Sequence, residues 1–248
     1  MFLKTKIILT GKQLLIGIPK TIYRFFEYLS EWMRFSRKND KRFTVKARDA
    51  YPCIADKLKT TPFDAHYTYH PAWAARILSK TRPTEHVDIS SILHFSTILS
   101  AFIPTRFYDY RPAMLSLPGY SSGFADLTNL PFEDGSIESL SCMHTIEHIG
   151  LGRYGDPVDP EGDLAAIKEL KRVLKKGGSL LFVTPVGMPK IEFNAHRIYS
   201  YEMIAGLFAP LEIMEFSMVN DKNEFIINAD PETVREQQYA CGCFWFKK

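Results

Sequence analysis

One segment constrains the fold more than any other: residues 137–187 contain two apolar, strand-like runs separated by a loop and a helix. The first run, Ile137–Met143, ends in polar residues and leads into a loop rich in Gly, Asp and Pro. The helix that follows is amphipathic; Asp163 is predicted to cap it and the glycines at 177–178 to end it. Residues 179–187 are apolar throughout, as expected for a strand buried on both faces. This order predicts an α/β fold with polar chemistry at a strand end.

The chain before this segment shows the same alternation. Residues 86–90 are predicted to form a strand, residues 90–102 a helix that begins with serine and is ready to receive an anion, and residues 106–112 a strand that ends in Asp109. Asp126 follows a third strand-like run. Successive strands that end in acidic or small polar residues indicate a parallel sheet, which binds its ligands at those strand ends.

The segment ahead of the first strand is less regular. A helix is predicted over residues 71–80, because Pro71 suits the first turn of a helix. Aromatic and imidazole side chains precede it: His66, Tyr67, Tyr69 and His70. They either line a pocket at the end of the sheet or pack against one another, and packing is the favoured interpretation.

The end of the chain returns to strands. Residues 206–216 are predicted to form one of them, and Cys241 and Cys243 are placed in the last. The chain has four cysteines and no C-x-x-C pair, which argues against a zinc ribbon and a disulfide framework. Reduced thiols in a cytoplasmic protein are therefore expected.

The amino-terminal segment is basic. Residues 1–48 carry a net charge of +9, and the rest of the chain carries −6, so the near-neutral total gives no argument for nucleic-acid binding. Its apolar runs are too short to span a membrane, and it lacks a signal-peptide cleavage site. Within residues 18–35 an apolar stripe recurs at helical spacing: Ile22, Phe25, Phe26, Leu29, Trp32 and Met33. Such a helix lies either on an anionic membrane surface or on protein, so a cytoplasmic location with peripheral membrane attachment is one of two open alternatives.

Two motifs and their order along the chain resemble those of a known protein family. DLTNLPFEDGSIESLSCMHTIEHI followed by VLKKGGSLLFVTP resembles the second half of class I S-adenosylmethionine-dependent methyltransferases, over residues 85–220. The run EHIGLGRYGDPVDPEGD, followed by FNAHRIYS, is similar to a narrower methyltransferase-like family of unknown function. The resemblance implies a Rossmann-like, mostly parallel seven-stranded sheet with helices on both faces and an antiparallel last strand. Three regions are expected: a basic helical extension (1–48), a covering loop and helix (49–84) and the α/β domain (85–248).

The resemblance also implies where S-adenosylmethionine binds. Asp109 takes the position that binds the ribose hydroxyls, and Asp126 with Leu127 the position that binds adenine. The remaining donor-site residues are Asp88, Ser90 and Met143. One departure stands out: the first loop of the family carries glycines, whereas residues 89–100 contain none. A catalytically inactive binding protein is therefore the alternative to an enzyme.

Methyl transfer to a hydroxyl requires a base, and histidine suits that role at neutral pH. His144, His148 and His196 are the candidates, with His144 preferred because it follows the fourth strand. A small polar or saccharide acceptor is expected to bind side chains of the following loops: Arg153, Tyr154, Asp156, Asn194 and Arg197. A magnesium ion held by Glu147, His148, Asp156 and His196 is an alternative, but the spacing of these residues is uninformative and no metal is predicted.

Overall fold

The structure is a computed structural model that describes residues 11–38 and 42–248; within the first helix, side chains are described from residue 20 onward. Residues 1–10 and 39–41, which belong to the predicted basic extension, lie outside the described residues. The chain divides into two compact units, with the boundary between Pro62 and Phe63.

The first unit contains α1 (Gly11–Lys38) and, within the segment that follows, one short 3-10 turn, Ala47–Asp49. The helix has the apolar stripe expected from the sequence, and Ile22, Phe26 and Met33 of that stripe are exposed. None of the helices in the described part of the chain is long and apolar enough to cross a membrane.

The second unit is an α/β domain built on an eight-stranded sheet. Its elements in chain order are α2 (Ala65–Thr81), β1 (His86–Ile89), α3 (Leu93–Leu99), β2 (Thr105–Asp109), β3 (Tyr120–Phe124), β4 (Ile137–Met143), α4 (Gly162–Val173), β5 (Leu174–Val186), β6 (Lys190–Glu192), β7 (His196–Ile198), α5 (Tyr201–Phe208), β8 (Glu212–Val219), β9 (Phe225–Ile226) and β10 (Ala240–Lys247). Short 3-10 turns lie at Ile146–His148 and Pro231–Glu236, and β6 pairs with β7 outside the main sheet.

The strand order is β3-β2-β1-β4-β5-β10-β8-β9. The first five strands of this order are parallel to one another. The last strand of the chain, β10, is antiparallel to both β5 and β8, as predicted. The sheet therefore has eight strands rather than the predicted seven. The additional strand, β9, pairs only two residues with the end of β8, too short a run for an apolar pattern to reveal.

Helices cover both faces of the sheet. Buried side chains of α4 and α5, such as Leu170 and Phe208, pack on one face, and those of α2 and α3, such as Trp73 and Phe95, pack on the other. The central strand β5 contributes to both clusters, through Phe182 on the first face and its neighbours on the second. This two-sided burial explains why the strand is apolar throughout.

The structure corrects the start of α2. This helix begins at Ala65, not at Pro71, because the Asp64 side chain caps it by accepting a hydrogen bond from the Tyr67 amide at 3.1 Å. The prediction placed Pro71 in the first turn, whereas it lies inside the helix. The imidazole and phenol side chains predicted in a loop therefore lie on the first two turns of α2.

Four further boundaries differ from the prediction, and two of them belong to α4. The helix α4 ends at Val173 rather than at the glycine pair, because Leu174 already pairs with β4 across a bulge. Its cap position is Glu161; Asp163 is instead buried and accepts a hydrogen bond from the Tyr199 hydroxyl at 2.8 Å.

The other two differences concern α3 and α5. The helix α3 begins at Leu93 after an Ile92 cap position that makes no side-chain cap, so the serines predicted to open it precede the helix. The predicted strand over residues 206–216 is partly helical, because Ser200 caps α5 through the Met203 amide and β8 starts only at Glu212.

Candidate functional site

The carboxyl ends of β1, β2 and β4 open into a cavity of about 510 Å³, within the usual size range of small-molecule sites. This is where an open parallel sheet is expected to bind its ligands. The cavity is lined by eight predicted site residues: Ser90, Asp109, Asp126, Leu127, His144, His148, Tyr154 and Asp156. Strand ends and one loop therefore bring together side chains from positions 90 to 156.

Two carboxylates form one side of the cavity, and local turns fix both of them. One oxygen of Asp109 accepts a hydrogen bond from the Arg111 amide at 2.7 Å. One oxygen of Asp126 accepts from both the amide and the hydroxyl of Thr128, at 2.8 and 2.7 Å. Among the described residues, nothing donates to the second oxygen of either carboxylate. Each acid thus has a fixed orientation and a free acceptor for the hydroxyl or amine of a ligand.

The turn after β1 has a left-handed backbone conformation that usually requires glycine, although it contains no glycine. Ser90 has a φ of +56°, in the left-handed region that glycine usually occupies. Its amide donates to the Tyr108 carbonyl at 2.7 Å, which ties the turn to β2. Ser90 faces the cavity, so the smallest hydroxyl side chain replaces glycine where the backbone approaches the cavity.

Two histidines line the opposite side, His144 and His148, and the buried Glu147 lies behind them. The Nδ1 atom of His144 donates to Glu147 at 2.8 Å, and both side chains are almost fully buried, at 3% and 2% exposure. Within the described part of the chain, the Nε2 atom of His144 has no hydrogen-bond partner. The backbone of His144 is left-handed, with a φ of +54°, a conformation that costs a non-glycine residue about 1–3 kcal/mol. Such a strained, buried pair at a strand end is typical of a functional site.

His148 is held with one nitrogen free. Its Nδ1 atom lies 2.6 Å from the Ala195 carbonyl and must donate to it, because a carbonyl oxygen can only accept. Its Nε2 atom is 3.8 Å from Glu147, beyond hydrogen-bond distance. Burial lowers the pKa of His148, so the imidazole is neutral at pH 7 and Nε2 carries a lone pair. This nitrogen can accept a proton inside the cavity.

The loop from residue 149 to 161 closes the cavity and depends on Gly150 and Asp156. Gly150 has a φ of +77°, and a side chain there would clash with the Asp159 carbonyl. Asp156 accepts from the Gly150 amide at 2.8 Å and from the Tyr154 amide at 3.1 Å. The guanidinium of Arg111 lies 4.6 Å from the ring centre of Tyr154, which connects this loop to the end of β2.

Two predicted donor-site residues lie beneath the cavity rather than in its wall. Asp88 is fully buried and accepts a hydrogen bond from the Ser141 hydroxyl at 2.6 Å. Burial raises the pKa of Asp88 to about 7. Met143 is also buried, in the apolar cluster under α2.

Four predicted residues support the cavity from outside. Arg153 donates to the Ala195 carbonyl at 3.0 Å, and Asn194 donates to the Leu151 carbonyl at 3.3 Å. Arg197 is buried, donates to the Ile149 carbonyl at 2.6 Å and lies 3.5 Å from Asp163. His196 packs against Tyr239, with ring centres 4.8 Å apart. None of these four residues lines the cavity.

The structure adds a group of side chains behind His144. The rings of His66, Tyr67 and His70 lie 5.6, 5.3 and 5.1 Å from that of His144. Burial lowers the pKa of His66 to about 4, so its imidazole is neutral at pH 7. Cys241 of β10 completes the group. The imidazole-rich sequence before residue 71 indicated a site, but the partners of His66, which lie 78 and 175 residues along the chain, could not be identified from the sequence.

Known proteins resemble the chain mainly in fold. A family model described as a Caenorhabditis protein of unknown function, DUF268, matches residues 132–241, which include the EHIGLGRYGDPVDP run. No curated protein matches the sequence.

Solved structures share the architecture. YcgJ from Bacillus subtilis aligns at 13% identity with a TM-score of 0.51, over 71% of this chain and 99% of its own. Phosphoethanolamine N-methyltransferase 2 from Haemonchus contortus, solved with phosphomonomethylethanolamine and S-adenosylhomocysteine, aligns at 13% identity with a TM-score of 0.50, over 71% of this chain and 53% of its own. The chain has the Rossmann-like methyltransferase fold. The [4+2]-cyclase SpnF also aligns, at 13% identity and a TM-score of 0.50, over 71% of this chain and 81% of its own, so the fold alone does not fix the reaction.

Proposed function

We propose that this chain transfers a methyl group from S-adenosylmethionine to a hydroxyl of a small polar or saccharide acceptor. The observation that carries the proposal is the cavity at the strand ends, where two oriented carboxylates face two histidines, each with one ring nitrogen that has no hydrogen-bond partner among the described residues. One side suits the hydroxyl and amine donors of an adenosine, and the other suits a reaction that releases a proton.

The donor is assigned to the carboxylate side. Asp109 would accept hydrogen bonds from the ribose hydroxyls and Asp126 from the adenine amine, each through its free oxygen. The left-handed turn at Ser90 allows the backbone to approach the amino-acid part of the donor. The sulfonium methyl group would then point toward the histidine side of the cavity.

The reaction is an in-line displacement. The acceptor oxygen forms a bond to the methyl carbon as the carbon–sulfur bond breaks, and S-adenosylhomocysteine leaves with the electron pair. His148 takes the hydroxyl proton on Nε2, since its Nδ1 is held by the Ala195 carbonyl. Because the sulfonium is already activated, the protein contributes mainly alignment and this proton transfer.

The acceptor is assigned to the loop side. Tyr154 and Asp159 line the cavity there, and their side-chain oxygens could bind the hydroxyls of a sugar. This polar wall favours a hydroxylated molecule over an apolar one.

Titration calorimetry on the full chain tests the donor assignment. We expect S-adenosylmethionine and S-adenosylhomocysteine to bind, and Asp109→Ala to weaken both by about 10- to 100-fold, because a hydrogen bond to a charged group contributes about 1.5–3 kcal/mol. Glu133→Ala, an exposed carboxylate outside the cavity, is the control and should bind as the wild type does. If the wild type binds neither ligand, the proposal fails and the inactive alternative is favoured.

A second proposal concerns α1: we propose that its apolar stripe lies on an anionic membrane surface. Within the first unit, Lys57 occupies the opposite face, with its ammonium 2.7 Å from Glu31 and 3.1 Å from Glu27. This contact leaves Ile22 and Phe26 exposed, at 52% and 64%. It also offsets one of the two negative charges of the helix, whose lysines and arginines outnumber its acids and therefore complement anionic lipid.

Flotation of the full chain with vesicles tests this attachment. We expect co-flotation with vesicles that contain phosphatidylserine and not with neutral vesicles, and loss of co-flotation in Ile22→Asp/Phe26→Asp. Ser30→Asp, a similar exposed position at the edge of the stripe, controls for added charge. A wild type that stays in the soluble fraction with anionic vesicles contradicts the attachment and favours a protein partner for the stripe.

A further inference from the structure

Three side chains from distant segments converge behind the cavity. His66 lies on the first turn of α2, His144 follows β4, and Cys241 lies in β10. One nitrogen or sulfur atom of each lies within 4.8 Å of the corresponding atoms of the other two. Nitrogen and thiolate sulfur are the ligands that structural and catalytic zinc sites use.

His144, the central member of this group, has one ring nitrogen available to bind a metal ion. The Nε2 atom of His144 is buried with no hydrogen-bond partner in residues 11–38 and 42–248, a costly state for an imidazole nitrogen unless something else binds it. Its Nδ1 atom donates to Glu147 at 2.8 Å. A carboxylate on the far nitrogen of a histidine is the arrangement that orients imidazole ligands in metal sites.

We propose that His66, His144 and Cys241 bind one zinc ion. Zinc lies about 2.0–2.1 Å from nitrogen and about 2.3 Å from sulfur in proteins, so the three ligand atoms must move inward by roughly 1 Å or less. Rotation of the His66 ring on the first turn of its helix is the smallest such change. The charges balance as well, because a thiolate ligand and the Glu147 carboxylate together offset the two positive charges of the ion.

Three protein ligands leave the fourth position of a tetrahedral zinc ion open. Because His144 also lines the cavity, that position would be available to an oxygen, nitrogen or sulfur atom of the acceptor. This last step rests on the proposed methyl transfer, whereas zinc binding itself does not. The site would also connect α2 to the end of β4 and the start of β10.

Cobalt(II) titration of the full-length metal-free chain tests the site without any methyl donor. We expect one cobalt per chain, with intense visible bands of four-coordinate cobalt and a near-ultraviolet thiolate-to-cobalt band, both removed by one equivalent of zinc. Weak bands of six-coordinate cobalt without the thiolate band would overturn the proposal. Failure of donor binding, measured separately, would leave this result unchanged.

Matched variants identify the ligands. Cys241→Ser should remove the thiolate band and weaken zinc binding by more than about 100-fold, and Glu147→Gln should weaken it by about 10- to 100-fold. Cys243→Ser is the control, because its sulfur lies 3.9 Å from that of Cys241 in the same buried strand. The proposal fails if Cys241→Ser keeps the thiolate band or if the control variant alone loses it. Circular dichroism of each metal-free variant separates loss of a ligand from loss of fold.

Discussion

The two sides of the cavity are built in different ways. The carboxylates on one side are fixed by turns within two residues of themselves, Asp109 by the Arg111 amide and Asp126 by Thr128. The histidines on the other side depend on distant partners as well: His148 on the Ala195 carbonyl, and His144, which also donates to Glu147, on packing against α2. A locally fixed side chain tolerates changes elsewhere in the chain, whereas one fixed by distant contacts depends on the whole domain.

This difference predicts separable effects on binding and on chemistry. Replacing His148 by Ala should lower turnover by about 10²- to 10⁴-fold, the usual contribution of a general base. The dissociation constant of S-adenosylhomocysteine should stay within a factor of about 3, because no donor contact is assigned to this side chain. Product formation with the best acceptor and titration calorimetry measure the two quantities.

The matched variant is His94→Ala, an exposed histidine of α3 outside the cavity, which should keep wild-type turnover. A His148→Ala variant with lost donor affinity and normal turnover would reverse the assignment of the two sides.

Asp88, beneath the carboxylate side, should make stability depend on pH. Its pKa is raised from 3.8 to about 7 by burial, so the folded state resists ionisation and loses stability as pH rises from about 4 to about 7. Asp88→Asn removes this penalty and should stabilise the chain by up to about 4 kcal/mol at pH 8, at about 1.4 kcal/mol per pKa unit, and by less at pH 5. Urea unfolding at the two pH values measures the difference.

An exposed carboxyl provides the reference, since Asp134→Asn should show no comparable increase between pH 5 and 8. Equal stabilities of wild type and Asp88→Asn at pH 8 would mean that the buried carboxyl carries no such penalty.

The closing loop should be sensitive at one glycine and tolerant at another. Gly150→Ala should destabilise the chain by about 2–3 kcal/mol, because the new methyl group meets the Asp159 carbonyl in a left-handed conformation. Gly155→Ala has a similar φ of +87° and open space, so its cost should be only about 1 kcal/mol. Chemical unfolding of the two variants gives the comparison, and equal costs would show that the close approach at Gly150 relaxes freely.

The smallest effect is expected at the turn between the two sides. Ser90→Gly should change the unfolding free energy by less than about 1 kcal/mol, because relief of left-handed strain offsets the greater freedom of unfolded glycine. Ser90→Val should instead destabilise, since a β-branched residue fits this conformation poorly. If Ser90→Gly keeps its affinity for the donor and Ser90→Val loses it, the backbone conformation of the turn, not the serine hydroxyl, allows the donor to bind. The opposite order would assign the donor contact to the hydroxyl.

The same contrast explains how much the sequence could predict. Apolar periodicity predicted the parallel α/β sheet, and the order of motifs predicted its Rossmann-like class through a family resemblance. The places of Asp109 and Asp126 after strand-like runs are likewise local properties of the sequence. Asp88 and Arg197 have equally suggestive sequence contexts, yet their burial depends on what packs above them. The link between His66 and Cys241 joins the start of the domain to its last strand, and no local pattern encodes it.

The contact between Arg111 and Tyr154 has a kinetic consequence. It joins the loop after β2 to the loop over the cavity, and a contact of this kind at an exposed site contributes only about 0.5–1 kcal/mol. Thermal motion separates such a pair readily. If a ligand can enter or leave only after the pair has separated, this requirement would slow ligand exchange by less than about a factor of 10. The residence time of a ligand in the cavity would then be governed by its own contacts with the carboxylates and histidines rather than by the contact between Arg111 and Tyr154.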